Sequence, residues 1–389
     1  MSDPPQLQPY TTEGEKAVLQ KLARSCNAIF LGEHYLTAKE GGKEGGEEKD
    51  QILAARIVEE LQKYKPKDAK LTLGLEMVQQ KFQPALDAYI ASPPSSPSSP
   101  LTMTAEDEAL KVATEWDARN PSSLPSSSSF ASYIPLLHFA REKKIKLLAL
   151  GLESEAISKV REVGLEGLSE EERGRYVLDP GGFISSVKGK EFKLYAERFI
   201  IPGFVARAAS TSSAAFAAAA TGEGAPVTPP AGGGGRGGGR REGGLSPAKF
   251  LAARILWDES MASAAVRHLQ QNPKDLIVLL VGAEHIKFGM GAPARLERLL
   301  ASAQVPTATG RGQVKSILLN PSPQDSGSET KRLRLTLGYA NNLEKCRPLA
   351  DYLWWSDYPK VAWLEHPQNP ISTPYSGDDT LFQVFSGVK

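Results

Sequence analysis

"AIFLGEH" spans residues 28–34 and carries the first strand signal of the chain. Four apolar residues, Ala28-Ile29-Phe30-Leu31, run directly into Gly32, Glu33 and His34. A short, unbroken apolar run fits a strand buried on both faces. Glycine lets the backbone turn sharply after it. The side chains that follow, Glu33, His34 and Tyr35, can all bind metal or move protons. The same signature recurs along the chain. Residues 71–76 end at Glu76, 145–151 lead to Glu153, 276–282 lead to Glu284 and His285, and 314–320 form a fifth apolar run. Helical patterns fall between them at 14–25, 51–64, 83–90, 105–118, 133–143, 154–163, 247–271 and 292–302. The alternation predicts an α/β protein, a three-layer α/β/α fold with a largely parallel central sheet and helices on both faces. In such sheets ligands bind outside the carboxyl ends of the strands. A solvated loop charge is the better reading for any one of these glutamates. Four chemically equipped strand tips meeting on one face argue for a site.

The bulk numbers narrow the classes. With 389 residues and 41% hydrophobic content the chain can bury a sizeable core. A formal net charge of +1 gives no global reason to expect nucleic acid or an anionic membrane as partner. The apolar runs are too short to span a bilayer. Cys26 and Cys346 are the two cysteines, so a disulfide framework is excluded and a reducing compartment fits. The N-terminus has neither a secretory signal nor the Arg/Ser-rich form of a transit peptide. One domain is expected over 14–345. Low-complexity, disordered insertions are expected at about 39–50, 92–100, 120–129, 206–244 and 321–330. Residues 346–389 read as an extension packed on that domain or trailing from it. The Gly-Arg tract within 206–244 is short and lacks aromatic residues, so it reads as a linker rather than an RNA-binding element.

The helix at 247–271 carries one further signal. Ser246 suits an N-cap and Pro247 the first helical position. Leu251, Ile255, Asp258, Ala265 and Leu269 recur at helical spacing, which places Asp258 on an otherwise apolar stripe. A buried carboxylate needs a partner. Orienting a site histidine and forming a plain structural salt bridge are about equally good readings. Of the other histidines, His138 reads as packed or surface, and His268 as solvent-facing near a helix end where a cation is favoured. Trp116 and Trp257 read as core.

The ordered motifs resemble a known family. Residues 31–34, 74–89, Trp116, 133–141, 257–262 and 281–296 are similar to the ChaN haem-binding proteins of the Tiki/TraB-like superfamily. The likeness covers roughly residues 28–320. Residues 163–177, 181–189, 289–296 and 348–359 look most like the ChaN-type domain of plant and algal plastid proteins, where it is joined to a membrane domain of the Reticulata-related type. That second domain is absent from the chain, which reads as a soluble relative or a fragment. The resemblance implies haem or a related tetrapyrrole at the strand ends, in bacterial members between two subunits, so a homodimer is among the implied partners. It implies a plastid location, with the cytoplasm as the alternative. Carried over by motif, the cofactor-binding set is Glu33, His34, Tyr35, Glu76, Asp258 and His285. The first motif departs from the family pattern, because Tyr35 stands where a histidine is usual and His34 comes one place early.

Three functions follow for test. Haem iron accepts histidine or tyrosine, and Tyr35, His34, His285 and Tyr133 are the candidates, with Tyr35 or His285 favoured. Met77, Phe82, Met261 and Phe288 would then supply apolar walls, with core packing the plain alternative for each. A hydrolase is the alternative, with His285, Tyr35, Glu33 and Glu76 as an N/O set suited to zinc or manganese. There is no His-Glu-x-x-His helix, so it is not a zincin. A non-catalytic plastid scaffold with a decayed site is the third reading.

Overall fold

The computed structural model describes residues 12–34, 47–93, 102–116, 130–205, 246–303, 313–326, 336–337, 347–356 and 362–365. Helix α1 (Thr12–Ser25) leads into β1 (Cys26–Glu33), and α2 (Glu47–Tyr64) into β2 (Leu71–Gln79). Helices α3 (Gln83–Ala91), α4 (Ala105–Ala113) and α5 (Phe130–Glu142) precede β3 (Lys146–Gly151). Four short helices follow: α6 (Ser154–Glu162), α7 (Glu170–Tyr176), α8 (Pro180–Ser186) and α9 (Lys190–Tyr195). A π-helical turn over Ala196–Ile200 extends α9. The 25-residue α10 (Pro247–Gln271) enters β4 (Leu276–Gly282), and α11 (Ala292–Ser302) enters β5 (Gln313–Leu319). Four short strands close the order: β6 (Thr336–Leu337), β7 (Arg347–Pro348), β8 (Tyr352–Trp355) and β9 (Ala362–Glu365).

The main sheet has seven strands in the order β3-β2-β4-β1-β5-β8-β9. The first six run parallel, and β9 pairs antiparallel to β8. Side chains of alternate strand residues enter opposite cores, as a sheet covered on both faces requires. Ala28, Phe30, Ile277, Leu279 and Val281 face the layer of α6, α7, α10 and α11. Ile29, Leu31, Leu276, Val278 and Leu280 face the layer of α1, α2 and α5. This is the three-layer α/β/α arrangement expected from the sequence. Among the described residues no helix is long and apolar enough to cross a membrane.

The long helix begins as its residues dictate. The Ser246 hydroxyl accepts from the Lys249 N–H at 3.2 Å, and Pro247 fills the first helical position. The open edge of the sheet at β3 is closed by a side chain. The Gln83 amide donates to the Leu147 carbonyl and accepts from the Ala149 N–H, both at 2.8 Å. One glutamine thereby satisfies two peptide groups that an edge strand would otherwise expose.

Several expectations change. Residues 47–50, read as insertion, form the first turn of α2, because Asp50 is drawn inward by His34 just after β1 and Asn320 just after β5. In the stretch 321–330, residues Pro323–Ser326 form a 3-10 turn with Asp325 buried. The remainder of these two stretches, residues 94–100, and all of 120–129 and 206–244 lie outside the described residues, as do Tyr35 and His366. His268 does not face solvent. It is 4% exposed, and its Nε2 meets Thr72 Oγ1 at 3.0 Å and Asp275 Oδ2 at 3.1 Å. Trp116 is core, packed edge-on against Phe130 and Tyr133.

Candidate functional site

Register brings the strand tips together. Glu33 is level with Gly282 across the β1–β4 ladder, while the β2–β4 ladder ends at the pair Leu75–Leu280. One residue beyond that pair, the Glu76 carboxylate accepts the Gly282 N–H at 2.6 Å and takes over where the ladder stops. At Gly32 a Cβ would lie 2.3 Å from Ile286 Cδ1, the residue after His285, and 3.3 Å from Ala283 Cα, so glycine allows a close approach here. The turn after β4 can therefore fold back onto β1.

His285 lies at the centre of this face and is 6% exposed. Its Nδ1 contacts Asp258 Oδ1 at 2.5 Å, and its Nε2 contacts Glu76 Oε1 at 3.1 Å. Asp258 projects from α10 on its apolar stripe and has both an imidazole and a guanidinium beside it. Arg254, one helical turn earlier, stands 3.5 Å from Asp258 and donates to the Glu284 carbonyl. Burial and the Arg254 guanidinium both act to lower the His285 pKa, but Glu76 and Asp258 outweigh them and hold it above the ordinary imidazole value. Burial likewise opposes the charge on Asp258, yet Arg254 and His285 keep its carboxyl below the usual range. The Trp257 ring tilts against His285, centroids 5.5 Å apart.

Glu33 is fully buried. Its carboxylate accepts from the Tyr133 hydroxyl and the Gln51 amide, each at 2.6 Å. Burial raises its pKa to about 8 against the pull of those two donors. His34 points to a separate cluster. Its Nδ1 meets Asp50 Oδ2 at 2.9 Å and its Nε2 meets Asp325 Oδ1 at 2.8 Å. Burial alone would lower its pKa, but the two aspartates raise it to about 10. Asp325 also binds the buried Lys287 ammonium at 2.8 Å, and Lys287 pairs with Glu284. Asn320 donates to Asp50 at 2.6 Å, tying the loop after β5 to the same cluster.

Of the residues named from sequence, the structure joins Glu76, Asp258 and His285 in direct contact. It places Glu33 beside them on its own donors and gives His34 to the aspartate clasp. Tyr35 is outside the described residues. Glu153 lies two residues past β3, is 5% exposed, and faces Arg175 at 3.5 Å instead of His285. Met261 and Phe288 are fully buried core, and Phe288 is held at φ +58° with its N–H on the Leu349 carbonyl at 2.8 Å. Sequence reasoning missed Asp50 and Asp325, which lie in stretches of insertion-like composition with no signal of their own. It also missed Arg254, whose position four residues before Asp258 on one helix face was a legible signal.

Among the described residues the donors fit haem iron poorly. An axial ligand must offer a free imidazole nitrogen or a phenolate oxygen. Both ring nitrogens of His285 and of His34 are taken by carboxylates. The Tyr133 hydroxyl donates to Glu33. Among the described residues, no group of three or more His, Cys, Asp or Glu side chains is disposed to hold a metal ion.

Comparison with known proteins supplies the context. Residues 41–296 match the family described as "Haem-binding uptake, Tiki superfamily, ChaN". That span includes Glu76, Asp258 and His285 and leaves out Glu33 and His34. The chain is 24% identical over 351 residues to the chloroplastic Protein RETICULATA-RELATED 5 of Arabidopsis thaliana. The alignment takes in 88% of this chain and 35% of that protein, so the chain spans about a third of the relative's length. The solved structure of ChaN of Campylobacter jejuni, which binds haem cofacially, is 15% identical with a TM-score of 0.42, over 79% of this chain and 86% of that one. An erythromycin esterase structure is 14% identical with a TM-score of 0.38, over 89% of this chain and 81% of that one.

Proposed function

The chain belongs to the ChaN haem-binding-uptake family of the Tiki superfamily, and from that premise we propose that it binds haem or a related tetrapyrrole at the carboxyl ends of its parallel strands. One observation carries the reading: Glu33, Glu76 and His285 converge at the tips of three neighbouring strands, beside Asp258 of α10. Ligands of parallel α/β sheets occupy this location. The plastid is the proposed compartment, on the ground that the Arabidopsis relative is chloroplastic. The reading is of a handling protein, one that holds and passes on a pigment, and no catalytic step is derived from it.

Titration of the purified protein with haem, followed by absorbance, tests the proposal. A saturable shift of the Soret band at micromolar haem is expected. A spectrum that remains that of free haem throughout would remove the tetrapyrrole reading altogether.

A further inference from the structure

Resting on that reading, we infer that this face recognises a tetrapyrrole by its flat macrocycle and its carboxylates and not through a histidine–metal bond, with Trp257 and Arg254 as the side chains that meet it.

The first support is that neither histidine is available. Freeing His285 Nε2 would require Glu76 to leave, yet the other Glu76 oxygen holds the Gly282 N–H at 2.6 Å. Freeing Nδ1 would require Asp258 to leave, and Asp258 is 1% exposed beside Arg254. Removing one partner from a buried charge pair is strongly unfavourable. The backbone cannot yield instead. A Cβ on Gly291 would come 2.1 Å from the His285 carbonyl oxygen, so two stretches of main chain are already in contact there. His34 is committed in the same way, bridging Asp50 from α2 and Asp325 from beyond β5. Both rings act as struts between carboxylates of separate segments, and both are positioning residues.

The second support is what borders His285. Trp257 is only partly buried while its ring rests on the histidine. The Arg254 side chain is 12% exposed and lies three residues before Trp257, so the two are neighbours on the surface of α10. An indole offers a face for stacking on a conjugated macrocycle. A guanidinium offers a planar fork for a carboxylate, and a flat aromatic dianion matches that pair. The π-helical turn extends the apolar side. It presents the half-buried Phe199, whose centroid is 4.5 Å from Phe288 and 5.8 Å from Tyr195. The Tyr195 hydroxyl meets the Glu284 carbonyl, which is also the acceptor of Arg254, so the aromatic cluster and the cation share one anchor.

The test compares iron protoporphyrin, metal-free protoporphyrin and the dimethyl ester of the metal-free form, each titrated into the full chain by absorbance and tryptophan quenching. Metal-free protoporphyrin should bind within about tenfold of haem, and the ester should bind at least about tenfold more weakly than the free acid. Arg254→Gln should weaken the free acid to the level of the ester and leave the ester unchanged. A larger preference for the iron form overturns the inference, and so does a haem complex that His285→Gln, His34→Gln or Tyr35→Phe abolishes while metal-free binding survives. Equal binding of acid and ester overturns the role of Arg254 on the wild-type chain alone, whatever the fate of the variant. If neither haem nor porphyrin binds, the tetrapyrrole reading itself has failed, an outcome distinct from a preference among porphyrins.

Discussion

The Glu33 carboxyl sits between the Tyr133 hydroxyl and the Gln51 amide, and burial lifts its pKa from an ordinary 4.5 to about 8. The folded chain therefore keeps a proton at neutral pH that the unfolded chain releases. Because the folded value is the higher one, the contribution to stability is complete below about pH 4.5 and is lost as pH rises through 8. A shift of this size is worth on the order of 5 kcal/mol. Glu33→Gln keeps the shape and carries no proton to lose. The variant should gain stability relative to the wild type between pH 5 and pH 8, read from urea unfolding at the two values. A difference between the two proteins that does not change with pH would mean that Glu33 is ionised in the fold. His34 has the same sign in a later window, from its ordinary 6.5 to about 10, so its stabilisation persists at neutral pH.

At the level of elements, legibility tracked locality. Helix α10 and strand β4 were readable to their ends, because a capping serine, a first-turn proline and an unbroken apolar run are signals carried within a few residues. Glu76 and His285 were readable for the same reason, being the first polar groups after such runs. The failures have partners far away in sequence. His268 is buried because Thr72, 196 residues earlier, meets it. Asp50 and Asp325 become ordered because His34 stands between them. Strand β8 was not expected either. Its four residues form a strand by adding to β5, and they lie in the stretch read as an extension packed on the domain or trailing from it. The edge at β3 yields a prediction at this scale. Gln83→Ala should leave the Leu147 carbonyl and the Ala149 N–H without their amide partner and cost about 1–3 kcal/mol in chemical denaturation. Amide exchange at Ala149 should accelerate with it, and unchanged protection at Ala149 would show that the glutamine is dispensable as a cover.

For the molecule as a whole, three layers and two cores follow from an alternation that each buried strand carries in its own sequence, but the strand order does not. No residue of β1 announces that its neighbours will be β4 and β5. That order has a consequence during synthesis. The strands that flank β1 begin at Leu276 and Gln313, so β1 leaves the ribosome before either of them and stands with both edges open while the intervening chain is made. At roughly 5–20 residues per second that wait is on the order of ten seconds or longer. By contrast, β2 and β3 meet early and can pair while the rest of the chain is still arriving. A chain stopped after Gln271 should show helical circular dichroism without a cooperative unfolding transition, and a sharp transition in that truncation would place the folding nucleus upstream of β4. Nascent-chain chaperones would accordingly find their longest-lived target in Ala28-Ile29-Phe30-Leu31, the segment that ends up at the centre of the finished sheet.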